Sequence, residues 1–346
     1  MVEKISISMP DDMHLHIRDG AEMAHVLPHT VRQFARAIIM PNLQPPVLTV
    51  QQALSYKDAI TALLPADTAF QPLMTLYLTD NTPQSEVQQV AQSPAVHAFK
   101  YYPAGATTNS ENGVTAVNKI YPVLEAMQKH DIPLLVHGEA TAPDTDVFDR
   151  ETIFIDQVLA DLTQRFPELR IVFEHITTAD AVDFVSQSPG RIAATITPHH
   201  LLLNRNALFD DGIRPHHYCL PILKAERHRQ ALLAAATGGD SRFFLGTDSA
   251  PHSVSAKQNA CGCAGIYSAY TAMEIYAELF YQAGQLDRLQ AFAAHHGADF
   301  YQLPRNKAQL DLTREPWQIP QTLPYTDGGL VPLLAGETCH WKLSAR

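Results

Sequence analysis

The chain has 346 residues, 46% of them apolar, which excludes a disordered polymer and suffices for one large core. Acidic residues outnumber basic ones 36 to 25 and the basic ones are scattered, so the basic stripe of a nucleic-acid binder is missing. The four cysteines (Cys219, Cys261, Cys263, Cys339) make no disulfide framework, "MVEKISISMP" lacks the character of a secretory signal, and no apolar run nears the roughly 18 residues of a membrane span, so a cytoplasmic protein is expected.

Short apolar runs recur along the chain: "MHLHI" (13–17), "ARAIIM" (35–40), "PLMTLYL" (72–78), "AVHAFKYY" (95–102), "IPLLVH" (132–137), "RIVFEH" (170–175), "RIAATI" (191–196) and "RFFLGTD" (242–248). Several are continuously hydrophobic, as strands covered on both faces are. Amphipathic stretches at 51–64, 116–130, 151–165 and 224–236 read as helices between them. Strand alternating with helix makes a parallel sheet, and eight such units predict a (β/α)8 barrel. One domain over 1–346 is expected, with the barrel at about 10–303 and a proline-rich extension, about 304–346, packed on it. No internal repeat stands out.

Reactive residues fall at the ends of these strands. His14 and His16 lie one residue apart on the first; in a strand both rings leave the same face, where they can share a metal ion or simply be hydrogen-bonded core histidines. Lys100 lies late in the fourth strand, His137 ends the fifth, His175 the sixth and Asp248 the eighth. Each alone has a plain structural reading: a satisfied histidine, a snorkelling lysine, a capping aspartate. In this fold, however, all strand C-termini open onto one face, so the six converge there. "CGC" at 261–263 lacks the second cysteine pair of a structural zinc site, and the "HH" pairs at 199–200, 216–217 and 295–296 are read as non-ligands.

This pattern resembles the amidohydrolase superfamily. Within it, "PDDMHLHIRDG", "MPNLQPPV", "KYYPAGATTNS", "LLVHGE", "FEHITT", "ATITPHHL" and "FLGTDSAPH" with "CGCAG" are similar to the single-function bacterial dihydroorotase family. The resemblance implies a TIM barrel with a binuclear site: His14, His16 and Asp248 on one zinc ion, His137 and His175 on a second, and a carboxylated Lys100 bridging the two. It further implies reversible cyclisation of N-carbamoyl-L-aspartate to dihydroorotate in pyrimidine biosynthesis, with a metal-bridging hydroxide as nucleophile in the hydrolytic direction and Asp248 as proton shuttle. A small-molecule substrate and a homodimer are expected, with no nucleic-acid or membrane partner.

The substrate carboxylate falls by resemblance to Arg18, Asn42 and His252, and the ring to Leu220 and Ala264. Arg18 follows His16 by two residues, on the same strand face if the strand runs that far. The loop 103–113, "PAGATTNSENG", reads as a lid carrying Thr107 and Thr108, with Gly105 where the family pattern suggests a bulkier polar residue. Two rivals stand beside this reading. A hydantoinase or dihydropyrimidinase would share the metal set without needing Arg18 and Asn42 for a ring carboxylate. A non-catalytic barrel would be expected to lack a ligand or the shuttle aspartate.

Overall fold

The computed structural model describes residues 3–66, 68–188 and 191–344. After an N-terminal strand β1 (Lys4–Ser8) come eight parallel strands: β2 (Asp11–Leu15), β3 (Arg36–Ile39), β4 (Gln71–Leu78), β5 (Val96–Tyr101), β6 (Leu134–Val136), β7 (Ile171–Phe173), β8 (Ile192–Ile196) and β9 (Phe243–Leu245). They pair in chain order in one sheet. The ring closes just beyond β9, where Leu15 bridges Ser249, the Asp248 amide donates to the His14 carbonyl at 2.9 Å and the His16 amide to that of Ser249 at 3.2 Å. The fold is a (β/α)8 TIM barrel. Helices occupy all four expected stretches, as Val50–Ala62, Tyr121–Lys129, the run from Arg150 to Arg165 with a π turn inside it, and Glu226–Thr237. Thr49 and Gln52 start the first with a reciprocal capping box.

Alternation along the strands decides what fills the barrel. Met13, Ile38, Leu73, Ala98, Leu135, Val172, Ala193 and Phe244 form an apolar cluster separate from the larger one between strands and helices. Two residues further along five of these strands the inward positions become polar or empty: Lys100, His137, Glu174, Thr195 and Gly246. The apolar layer is the floor of a site and the next layer is its lining. Glycine is required at 246, because a Cβ there would lie 2.8 Å from Thr195 Cβ and 3.0 Å from His14 Cβ.

Four expected strands stop short of their reactive residues: β2 ends at Leu15, before His16, β6 at Val136, before His137, and the other two are β7 and β9. β7 stops at Phe173 and β9 at Leu245, so His175 and Asp248 stand in the following turns. Both have positive φ, 41° and 44°. Left-handed backbone is costly for these residues and breaks the strand alternation. It is held at His175 by Thr195 Oγ1, 2.6 Å from the His175 amide, and at Asp248 by the bond to His14.

The C-terminal segment has structure of its own. β10 (Gln309–Thr313) runs antiparallel to β1 and pairs with β13 (Lys342–Leu343), while β11 (Trp317–Gln318) pairs with β12 (Thr338–Cys339). At the N-terminal end of the barrel, Arg36 donates to both oxygens of the buried Asp11, and Asn306 also reaches Asp11 and the Met9 carbonyl. The extension is thus tied to the barrel floor.

Candidate active site

The six strand-end residues meet at the C-terminal mouth. His14 Nε2 and His16 Nε2 lie 3.3 and 3.1 Å from the same oxygen, Asp248 Oδ1. His137 Nδ1 lies 3.2 Å from His175 Nε2, and the His14 and His175 rings are 4.9 Å apart. Lys100 is fully buried, with its Nζ lacking any hydrogen-bond partner among the described residues and 5.1 Å from the centre of the Tyr102 ring. His14 reaches this place through a bulge: Asp12 pairs with Ala37 but Leu15 with Ile39, so Met13 and His14 of β2 stand against Ile38 alone in β3.

Carboxylates fix the tautomers. His14 Nδ1 lies 2.8 Å from Glu174 Oε2, and His137 Nε2 lies 2.8 Å from Glu139 Oε2. An ionised carboxylate only accepts, so each ring donates outward and leaves its other nitrogen facing the site. His14 Nε2 then confronts a carboxylate oxygen, and His137 Nδ1 confronts another imidazole nitrogen. Acceptors face each other at hydrogen-bond distance unless a proton or a cation lies among them. Burial disfavours charge on His14, yet Glu174 and Asp248 raise its pKa, so its surroundings favour positive charge at this point. Burial opposes ionisation of Asp248, but His14 and His16 hold its carboxyl well below the usual range; burial pushes His175 well down and His16 to about 4. Neutral imidazoles beside an ionised carboxylate form a donor set that suits a divalent metal. Lys100, pushed down to about 8 by burial, joins it only in an uncharged or acylated form.

A second group, His199, His200 and Cys219, also clusters closely. His200 Nε2 is 2.9 Å from the Pro221 carbonyl and therefore carries the proton, while Nδ1 lies 2.8 Å from Thr197 Oγ1. Cys219 donates to the same carbonyl. His200 and Cys219 thus have partners, whereas both ring nitrogens of the buried His199 have none among the described residues.

The pocket above the six is lined by Arg18, Asn42, Tyr102, Thr107, Thr108, Leu220 and Ala264, together with five of the six residues just described. Arg18 arrives by a different route from the one expected. β2 ends at Leu15, and Arg18 has φ 69°, so a turn and not strand alternation aims it. Its Nε donates to the Pro251 carbonyl at 3.1 Å and its Nη2 to His252 Nε2 at 3.0 Å. Burial and Arg18 push His252 down to about 2, so it stays neutral and accepts. His252 itself lines the adjoining mouth with Arg18 and Asn42. The loop 103–113 lies over the pocket: Asn42 Nδ2 donates to the Thr108 carbonyl (3.3 Å), Asn109 Nδ2 to the Asn42 carbonyl (3.0 Å) and Thr108 Oγ1 to the Ala264 carbonyl (3.4 Å).

Sequence reasoning missed the support around the site. Glu174 and Glu139 are its orienting carboxylates, and Thr195 Oγ1 donates to Glu174 at 2.5 Å. Asp12 accepts from the Thr247 amide and hydroxyl and from the His14 amide, joining the two ends of the barrel seam. Tyr102 lines the pocket with a buried hydroxyl that has no partner among the described residues. The inward alternation Val172, Glu174 was the available signal for Glu174.

Residues 10–315 match the model of the amidohydrolase family. The chain is 61% identical to the dihydroorotase of Cupriavidus metallidurans, over 99% of this chain and all of that one, and 61% identical to that of Nitrosomonas europaea over 99% of both. The chain belongs to the amidohydrolase family, among its dihydroorotases. Solved dihydroorotases superpose closely: that of Saccharomyces cerevisiae in complex with 5-fluoroorotic acid (TM-score 0.91, 33% identity, 99% of both chains) and that of Campylobacter jejuni (0.91, 34%, 100% and 98%). An Arthrobacter aurescens L-hydantoinase shares the fold at 15% identity (TM-score 0.82, 98% of this chain and 83% of that one). As a dihydroorotase the chain is a hydrolase of a cyclic amide bond in pyrimidine biosynthesis, with a small-molecule substrate and a metal site. Among the described residues no helix is long and apolar enough to cross a membrane.

Proposed function

We propose that the chain interconverts N-carbamoyl-L-aspartate and (S)-dihydroorotate with two zinc ions, using the residues gathered at the barrel mouth. The observation that carries this reading is the convergence of four histidines, Asp248 and the unpartnered Lys100 beneath a pocket walled by Arg18. His14, His16 and Asp248 would hold one ion and His137 and His175 the other. Lys100 Nζ, after reacting as a neutral amine with carbon dioxide and losing a proton, would supply both with carbamate oxygens. Bound there, zinc would supply Lewis acidity towards the ring carbonyl and make a water acidic enough to ionise near neutral pH.

The chain's own groups do the rest. Arg18 and Asn42 hold the ring carboxylate, with His252 and the Pro251 carbonyl keeping the guanidinium in place. Leu220 and Ala264 offer backbone groups to the ring, and Thr107 and Thr108 cover it. In the hydrolytic direction Asp248 takes a proton from the attacking water and delivers it to the ring nitrogen as the amide C–N bond breaks. Ring closure runs these steps backwards, with loss of water. By resemblance the enzyme works as a cytoplasmic homodimer.

Arg18 favours an acid substrate over the neutral rings of the hydantoinase-type rival. Turnover of dihydroorotate, dihydrouracil and hydantoin by protein of measured zinc content tests this. Preference for dihydroorotate is expected; preference for either neutral ring would overturn the substrate assignment.

A further inference from the structure

Lys257 takes no part in the chemistry above, yet it is only 3% exposed and lies beside the pocket. It ends the short helix Val254–Lys257, whose first amide donates to the Gly329 carbonyl of the C-terminal extension. Its ammonium donates to three backbone carbonyls, those of Tyr218, Cys263 and Gly265, each at 2.7 Å. A lysine ammonium has three protons, and all three are used.

These carbonyls belong to two separate segments. Tyr218 precedes Leu220 by two residues; Cys263 and Gly265 flank Ala264; and both Leu220 and Ala264 line the pocket. A peptide unit is planar and trans, so fixing the Cys263 carbonyl fixes the direction of the Ala264 amide. The segments also touch directly, Gly265 amide to Tyr218 carbonyl at 3.0 Å, and the lid's Thr108 hydroxyl reaches the Ala264 carbonyl. Gly265 cannot brace the loop with a side chain, because a Cβ would lie 2.8 Å from Ala250 Cβ.

A buried cation answered only by three carbonyl dipoles and the face of the Tyr218 ring, 5.7 Å away, is expensive, and burial pushes Lys257 down to about 8. An apolar residue would fill the same space without that penalty but would leave the Cys263 and Gly265 carbonyls without this donor, so what the lysine adds is three convergent donors joining two segments. We propose that Lys257 is a positioning residue: its ammonium clamps the segments around Leu220 and Ala264 into the arrangement that receives the substrate ring. This inference rests on the dihydroorotase reading.

The test uses zinc-loaded parent, Lys257→Met and Lys257→Gln enzymes, with metal content, thermal midpoint, KM and kcat for dihydroorotate, and hydrogen exchange over 258–266. The expected result is full metal content, faster exchange in that segment, and a KM raised tenfold or more with a smaller fall in kcat. Gln, keeping two of three donors, should fall between Met and the parent. A folded, metal-replete Met variant with the parental KM would overturn the inference, even if its thermal midpoint dropped, since that is what a purely structural lysine gives. Should the Met variant not fold, the KM of the Gln variant decides in the same way. If the parent turns over no dihydroorotate, the functional reading falls and this inference with it; if the parent does and the Met and Gln variants match it, this inference alone falls.

Discussion

His14 and Glu174 meet at 2.8 Å, fully buried and 160 residues apart in sequence, so that a carboxylate just past the end of β7 sets the tautomer of a histidine from β2. Because Glu174 also accepts from Thr195, the contact is fixed from two strands. Glu174→Gln keeps the shape but removes the charge that makes His14 a stronger donor to a metal. The expected outcome is a 10–100-fold loss of zinc affinity at one site, read by chelator competition, with the fold intact by circular dichroism.

Lys100→Ala should lose activity together with at least one zinc ion, because two cations would then lack the anion between them. A short carboxylic acid added to the variant should restore part of both. Metal analysis and turnover, with and without the acid, check this; two tightly held ions and normal turnover would remove Lys100 from the metal site.

Asp248 and Arg18 separate in kinetics. Asp248→Asn retains size but cannot accept a proton, so kcat should collapse by far more than KM rises. Arg18→Met removes a charge-assisted contact, on the order of 1.5–3 kcal/mol of binding, or roughly 10–150-fold in KM. Steady-state kinetics in both directions provide the measurement.

How much of this could be read beforehand follows from strand periodicity. Lys100 and His137 continue the inward positions of Ala98 and Leu135, so a period of two places them in the site. The same rule turns His175 away from Val172 and its cluster, and would set Met13 and His14 on opposite faces. A positive φ at His175 and a bulge in β2 overrule it, and neither has a local signature in the sequence. Arg18 is similar: the residue was identifiable, but the turn that aims it was not. The strand β1 escaped notice because "KISIS" is short and gains its partner, β10, only from the far end of the chain.

The lid makes a separate prediction. Thr108 bonds to Ala264 and its carbonyl to Asn42, contacts that close 103–113 over the pocket at a cost in ordering entropy. Thr107→Ala with Thr108→Ala should lower turnover while both zinc ions remain bound. Proteolysis within 103–113 of the parent should slow when a substrate analogue is present. Unchanged kinetics and equal cleavage with and without the analogue would reduce the segment to a connecting loop.

Acid should weaken the fold through His200 independently of the metal. Burial pushes His200 down to about 4 from an ordinary value of 6.5, and both ring nitrogens are committed, one to Thr197 and one to the Pro221 carbonyl. Above pH 6.5 the ring is neutral in folded and unfolded chains and has no effect on the balance. Between 6.5 and about 4 the unfolded chain takes up a proton that the folded one refuses, so stability falls as pH falls; below that both carry it and the loss levels off. The difference corresponds to on the order of 3 kcal/mol. His200→Asn cannot titrate, so metal-free variant protein should lose less stability than metal-free parent between pH 7 and pH 4. Urea unfolding at several pH values measures the difference, and parallel curves for the two proteins would show that His200 is not the group responsible.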